Sequence, residues 1–287
     1  MQGGWALNVD NEAVHVLIPD TQVRKGTPEF PCRTEHLEWI GQYVVDTLHD
    51  KPNVTIVQIG DHWDMPSLSS YDRGKRASEG RRYSDDIEAG NAGFDLLNAP
   101  LQRFNARRKA NKERQWWPAR HFFDGNHEQR VVRAAEEDSK LYGTLRLEDM
   151  NVAEHGWIRH PFLEPVFLDG IGYAHYWANP MTGRPYSGMI DTRLRQIGHS
   201  FSQGHQQVLL YGIRYVAGRS QHGLVAGAAY THQEPYRGPQ GVSHWRGIIV
   251  KHQVRSGSYD PMFVSLDYLA RRYEGMSLAE FIGDSSL

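Results

Sequence analysis

Apolar positions in the first half of the chain fall in short runs separated by helical stripes. Ala13 to Pro19 (AVHVLIP) is an apolar run that stops at Asp20. Thr34 suits a helix N-cap, and Leu37, Ile40, Val44 and Leu48 then share one face at spacings of three and four. Lys51-Pro52-Asn53 ends that helix, and Val54 to Ile59 (VTIVQI) forms a second apolar run closing at Gly60-Asp61. Strand, helix, strand in this order predicts parallel strands with a right-handed crossover. Residues 65–84 read as a polar loop. The pattern is helical from Asp85 to about Arg114, with a basic second half. Arg120 to Phe123 predicts a third strand, ending at Asp124-Gly125-Asn126-His127, and short helices are expected through about Leu147.

The second half changes period. Pro165 to Leu168 and Ile171 to Trp177 flank Asp169-Gly170, which predicts a hairpin with a tight turn. Val208 to Tyr215, Leu224 to Tyr230, Arg246 to Val254 and Met262 to Tyr268 read as further strands divided by glycine. No composition break marks a linker, so residues 1–287 are expected to form one α/β domain, a parallel half packed on a more antiparallel half.

Composition adds limits. The 287 residues carry 32 Lys+Arg against 34 Asp+Glu, a net charge of -2, which argues against bulk electrostatic binding of nucleic acid. No run approaches ~18 apolar residues, so no membrane span is expected. Met-Gln-Gly-Gly-Trp lacks the basic and apolar regions of a secretory signal, and the expected location is the cytoplasm. One cysteine excludes an intrachain disulfide and Cys-rich zinc modules, whereas 15 histidines leave an imidazole and carboxylate metal site open.

Three apolar strands end in groups that can bind metal: Asp20-Thr21-Gln22, Gly60-Asp61-His62-Trp63-Asp64 and Gly125-Asn126-His127-Glu128. Ligand sites in α/β sheets form beyond the carboxyl ends of strands, so these segments converge by topology. Tyr-Ala-His175-Tyr-Trp on the hairpin and Gly204-His205-Gln206-Gln207 add two histidines. Taken singly, each residue is equally a turn or core residue; the order and the strand placement point to chemistry.

In that order and placement, the segments resemble the calcineurin-like metallophosphoesterases, phage-encoded members among them, over residues of about 14–210. The resemblance implies a four-layer αββα sandwich of two mixed β-sheets flanked by helices, with residues 211–287 completing the second sheet. It implies two divalent ions bridged by Asp61. Asp20, Gln22 and Gln207 complete one shell, and Asn126, His175 and His205 the other. His127 stands beside the ions as general acid, and Asp64 orients a ligand or His127 by a hydrogen bond. A shared water of lowered pKa would supply hydroxide for in-line attack on phosphorus. Membership would place the protein in the host cytoplasm if it is phage-encoded.

Two positions depart from the family, which has histidine where this chain has Gln22 and Gln207. The first shell then holds oxygen donors alone and favours Mn²⁺ or Mg²⁺; the second admits Mn²⁺, Fe or Zn²⁺. A milder alternative sets Gln22 outside the shell, holding a water. His199 is the rival of His205, which is preferred for its spacing to Gln207. His62 either lines the cleft or lies at the surface.

Arg73, Arg76 and Arg81 follow the second metal segment and are expected to contact substrate phosphates; a solvated loop is the alternative. Arg193, between His175 and His205, is a further phosphate contact. Trp116-Trp117 reads as packing, and Cys32 as structural or incidental. The expected activity is hydrolysis of phosphodiesters, in a nucleic acid or a nucleotide-type ester. Phosphomonoester or phosphoprotein hydrolysis is the first alternative, and a non-catalytic scaffold with a degraded metal site the second.

Overall fold

The computed structural model describes residues 13–27, 31–71, 74–232 and 245–283. Two mixed β-sheets lie face to face. The first has strand order β11-β10-β1-β2-β3-β4, comprising β1 (Ala13–Ile18), β2 (Val54–Gln58), β3 (Ala119–Phe123), β4 (Ile158–His160), β10 (Gly247–Arg255) and β11 (Ser258–Ser265). Strands β1 to β4 are parallel, while β10 and β11 add antiparallel at one edge. The second has order β5-β6-β7-β9-β8, built from β5 (Val166–Leu168), β6 (Ile171–Tyr173), β7 (Phe201–Gln203), β8 (Leu209–Val216) and β9 (Arg219–Ala226).

Alternation along β1 sets the layers. Val14, Val16 and Ile18 join one core with Leu37 and Ile40 of helix α1 (Glu35–Leu48) and Phe94 and Leu97 of α2 (Tyr83–Ala110). Leu17 turns the other way, into a second core with Val57, Ile59 and Phe123 of the first sheet and Ile171, Tyr173 and Leu224 of the second. On β9 the odd neighbour Gly223 faces Ile190 and Leu194 of α4 (Ile190–Ile197), so this helix covers the outer side of the second sheet. Helices therefore flank a two-sheet sandwich. Among the described residues no helix is long and apolar enough to cross a membrane.

The parallel half follows the pattern of apolar residues closely. Thr34 does precede α1, but its side chain makes no capping bond; its N–H instead donates to Glu35 Oε2 at 2.9 Å. The expected hairpin forms across Asp169 (φ 49°) and Gly170 (φ 84°), both left-handed as a tight two-residue turn requires. The expectation that residues 211–287 complete the second sheet is corrected. Only β8 and β9 do so; β10 and β11 join the first sheet, and α5 (Leu266–Glu274) packs beside α1.

Candidate metal centre

Five chain segments meet at the carboxyl ends of β1, β2 and β3. The crossing is tight enough to dictate residue type. A side chain at Gly60 (φ 103°) would approach His175 Nδ1 to 2.6 Å, and one at Gly125 would overlap Asp61 Oδ1. Gln22 (φ 40°), Asp61 (φ 53°), His205 (φ 64°) and Gln207 (φ 56°) all have left-handed backbone, a conformation that non-glycine residues seldom adopt. Such strain concentrates where surrounding structure fixes functional groups.

Asp61, His175 and His205 present ligand atoms all within 4.8 Å of one another. His175 Nδ1 donates to the Ile59 carbonyl at 2.8 Å, which turns Nε2 toward Asn126 Oδ1 at 3.0 Å and Asp61 Oδ2 at 3.3 Å. His205 Nδ1 faces the same Asn126 oxygen at 2.7 Å, and its backbone N–H donates to Asp20 Oδ1 at 3.0 Å. Asp20 is fully buried. The Gln22 Oε1 atom is buried with no hydrogen-bond partner. Gln207 is placed differently: its Oε1 accepts from Tyr230 OH at 2.9 Å and its Nε2 donates to Asp20 Oδ2 at 3.4 Å. It thus braces Asp20, and Gln22 is the glutamine with an uncommitted oxygen.

The carboxylates and imidazoles shift one another's proton affinities. Burial, then the neighbouring Asp61 carboxylate, push Asp20 up to about 6. Burial works against the Asp61 carboxylate too, but the charges of His127 and His175 outweigh it and hold Asp61 well below the usual range. Burial would lower His175, yet Asp61 raises it to about 9. Burial, followed by the His175 charge, takes His205 down to about 4. The proton favoured on His175 thus faces the Asp61 carboxylate. The Asp61, His175 and His205 donor set fits a divalent ion, and Gln22, whose N–H donates to the Asp61 carbonyl at 2.9 Å, keeps an orphaned buried oxygen.

His127 borders this cluster. Its N–H donates to Asp61 Oδ1 at 2.9 Å, and its Nδ1 lies 2.9 Å from both the carbonyl and Oδ1 of Asp64. Burial lowers its affinity for protons, but Asp61 and Asp64 outweigh that and raise it. Asp64 Oδ2 also accepts from Arg24 Nη1 at 3.1 Å. Sequence reasoning passed over two neighbours. Arg130 donates to the Asp64 carbonyl at 2.8 Å and sets Nη2 3.1 Å from His127 Nε2. Glu128 is fully buried and accepts the N–H groups of Asp61, His62, Trp63 and Gly125 at 2.7–2.9 Å. The available signal was Glu128 closing the Gly125-Asn126-His127-Glu128 segment, where a buried carboxylate must find donors.

The remaining expectations separate. Arg73 lies outside the described residues. Arg76 is exposed on a short 3-10 turn (Arg76–Ser78). Arg81 Nη1 donates to the Pro66 carbonyl at 3.1 Å, which ties its loop two residues beyond Asp64. Arg193 is buried and turned to Gly188 and Gln206, not to the cluster. His62 is a core residue between Thr21 Oγ1 at 2.7 Å and the Gly90 carbonyl at 3.0 Å. His199 sits between Phe167 and Trp177, outside the cluster. No protein-family model matches the chain, and a search of curated proteins finds no match either.

Proposed function

We propose that the chain is a metal-dependent phosphoesterase of the calcineurin-like type, acting on phosphodiesters. The observation that carries this reading is the convergence of Asp61, His175 and His205 within 4.8 Å, at the ends of parallel strands. The helix-flanked two-sheet sandwich and the resemblance of the strand-end motifs support it. Asp61 would bridge two ions, with Asp20 and Gln22 on the oxygen-rich side, and Asn126, His175 and His205 on the other. Gln207 would act by holding Asp20. When bound, the ions supply a lowered pKa for water and neutralise charge on the phosphoryl oxygens.

The protein's own groups do the rest. Asp64 accepts from His127 Nδ1 and so leaves Nε2 as the working nitrogen. Nε2 faces Arg130 Nη2 at 3.1 Å, so it would take up a proton for the leaving alkoxide once that donor gives way, and Asp61 and Asp64 both favour the protonated ring. Glu128 fixes the turn that carries Asp61 by taking four N–H groups. The anchoring of Arg81 at Pro66 brings the basic loop to the border of the site, which favours substrates with charge beyond the scissile phosphate.

An activity matrix tests the reading: Mn²⁺, Mg²⁺, Zn²⁺ and Ni²⁺ against single-stranded DNA, RNA, cyclic nucleotides, and an aryl phosphodiester beside its monoester. Diester turnover with Mn²⁺ or Mg²⁺ is expected. Far higher efficiency on the monoester would shift the reading to a phosphomonoesterase, and no turnover with any ion would sink it. Metal analysis adds a second check. Two tightly retained zinc ions per chain would contradict the oxygen-rich side.

A further inference from the structure

We propose that Arg193 is a positioning residue for the metal-binding loop: through Gln206 it holds Gly204–Gln207 in the form that aims His205 and Gln207 at the cluster. The inference rests on the reading of that cluster as a metal centre. It replaces the expectation that Arg193 binds a substrate phosphate.

The loop needs holding. His205 and Gln207 both have left-handed backbone, with Gln206 between them. Its own main-chain bonds are few: Gly204 N–H donates to the His175 carbonyl at 3.0 Å, and Gln206 N–H to the Gly204 carbonyl at 2.7 Å. His205 N–H and Gln207 Nε2 tie the loop's two sides to Asp20, and the strained backbone between them asks for a further restraint. Gln206 supplies it. Its side chain is gripped at both ends, with Nε2 donating to the Tyr186 carbonyl at 3.2 Å and Oε1 accepting from Arg193 Nη1.

Arg193 is suited to the grip because it is itself fixed. It lies on α4 next to Leu194, which packs beneath β9, and it is 4% exposed. Its Nε donates to the Gly188 carbonyl at 3.0 Å. Among the described residues no carboxylate pairs with it, so its donors go to the loop amide and to backbone. The planar guanidinium gives two bonds of fixed relative direction, one to each side of the loop's support. The clamp joins the outer helix layer to the candidate ligand His205 and to Gln207, the brace of Asp20, so the second sheet's cover sets the site's geometry.

The test is a Mn²⁺ titration of the full chain, followed by calorimetry or electron paramagnetic resonance, on wild type, Arg193→Met, Gln206→Met, the double variant and Arg193→Lys. Each Met variant should bind Mn²⁺ about 10–100-fold more weakly, the usual cost of losing a group that orients ligands. The double variant should be no weaker than the weaker single, because both break one clamp. Arg193→Lys should recover part of the affinity. The rise in Tm on adding Mn²⁺ should shrink, while KM for the ester at saturating Mn²⁺ stays at the wild-type value. Unchanged Mn²⁺ affinity with raised KM would overturn the proposal in favour of substrate contact. Additive losses in the double variant would overturn the clamp. If Arg193→Met does not fold, Gln206→Met carries the test alone. Wild type that binds no divalent ion would remove the metal-centre reading itself, a result separate from any variant effect.

Discussion

Two buried charged clusters sit between the layers, one toward each end of β1. At its carboxyl end lie Asp20, Asp61, His175 and His205; near its amino end lie His15 and Lys251, paired across β1 and β10. Asp20 is five residues beyond His15, about 16 Å along an extended chain. Lys251 is fully buried, donates to Tyr173 OH at 2.9 Å and Ser202 Oγ at 2.6 Å, and lies over the Tyr173 and Tyr259 rings. His15 uses both nitrogens, on Tyr173 OH and Asp169 Oδ2, each at 2.8 Å. Both clusters hold left-handed backbone, at Asp169 beside His15 and at Gln22, Asp61, His205 and Gln207 in the other, and both hold a buried oxygen with no hydrogen-bond partner, Tyr259 OH and Gln22 Oε1. Burial of charge is common to both. What separates them is composition: Lys251 spends its donors on the hydroxyls of Tyr173 and Ser202, whereas the other cluster gathers the carboxylates of Asp20 and Asp61 beside two imidazoles.

The sharpest break of this comparison is Asp61→Asn. Asparagine tolerates the left-handed backbone and can still accept from His127, so the charge alone is removed. Turnover should fall by about 10³-fold or more, with Mn²⁺ binding lost, as for any site deprived of its main charge stabilisation. Retained Mn²⁺ affinity by calorimetry would show that the cluster does not need the carboxylate. His127→Ala should keep Mn²⁺ binding and lower turnover by about 10²–10⁴-fold, most for poor leaving groups. Equal losses for good and poor leaving groups would remove it as the acid.

The lysine cluster should answer in stability instead. Burial, with the Lys251 charge next, takes His15 down to about 4, against about 6.5 in the unfolded chain. Between those values the unfolded state binds a proton that the folded state refuses, so stability falls as pH falls from 6.5 to 4. The contribution is about 3 kcal/mol, and the advantage of wild type over His15→Gln should shrink by that amount between pH 7.5 and 4. Urea unfolding at the two pH values checks it; parallel profiles would count against the assignment. The smallest effect is expected for Lys251→Met. Burial holds the Lys251 amine well below its usual proton affinity, so exchange for an apolar chain of similar length should shift stability by only about 1–2 kcal/mol and leave turnover alone. A large loss of turnover there would erase the distinction between the two clusters.

Much of the parallel half was legible because β1 and β2 are apolar runs buried on both faces and ending at a polar turn; β4, Ile-Arg-His with none of its residues buried, gave no such signal. The partition of later strands was not. Period-two alternation says which residues of β10 face inward but not which sheet receives them, and β10 pairs with β1 across more than two hundred residues. Helix α4 and strand β7 were missed, being eight and three residues long. At the site, the residue types Asp61, His175 and His205 carried their own signal. The partners of Gln207 and Arg193 did not, because sequence order gives proximity and not the direction in which a long side chain turns.

The left-handed backbone at Gln22 and Gln207 bears on what this scaffold can become. Histidine, asparagine and aspartate enter that conformation several-fold more readily than most residues, so the main chain does not oppose them at either position. The two glutamines are therefore no backbone requirement. A single codon's difference at either one exchanges an amide for an imidazole or a carboxylate without remaking the turn. On the proposed reading of the site, metal preference would in this sense be an adjustable trait of the frame, open to selection in the laboratory or in a lineage that meets a different supply of ions.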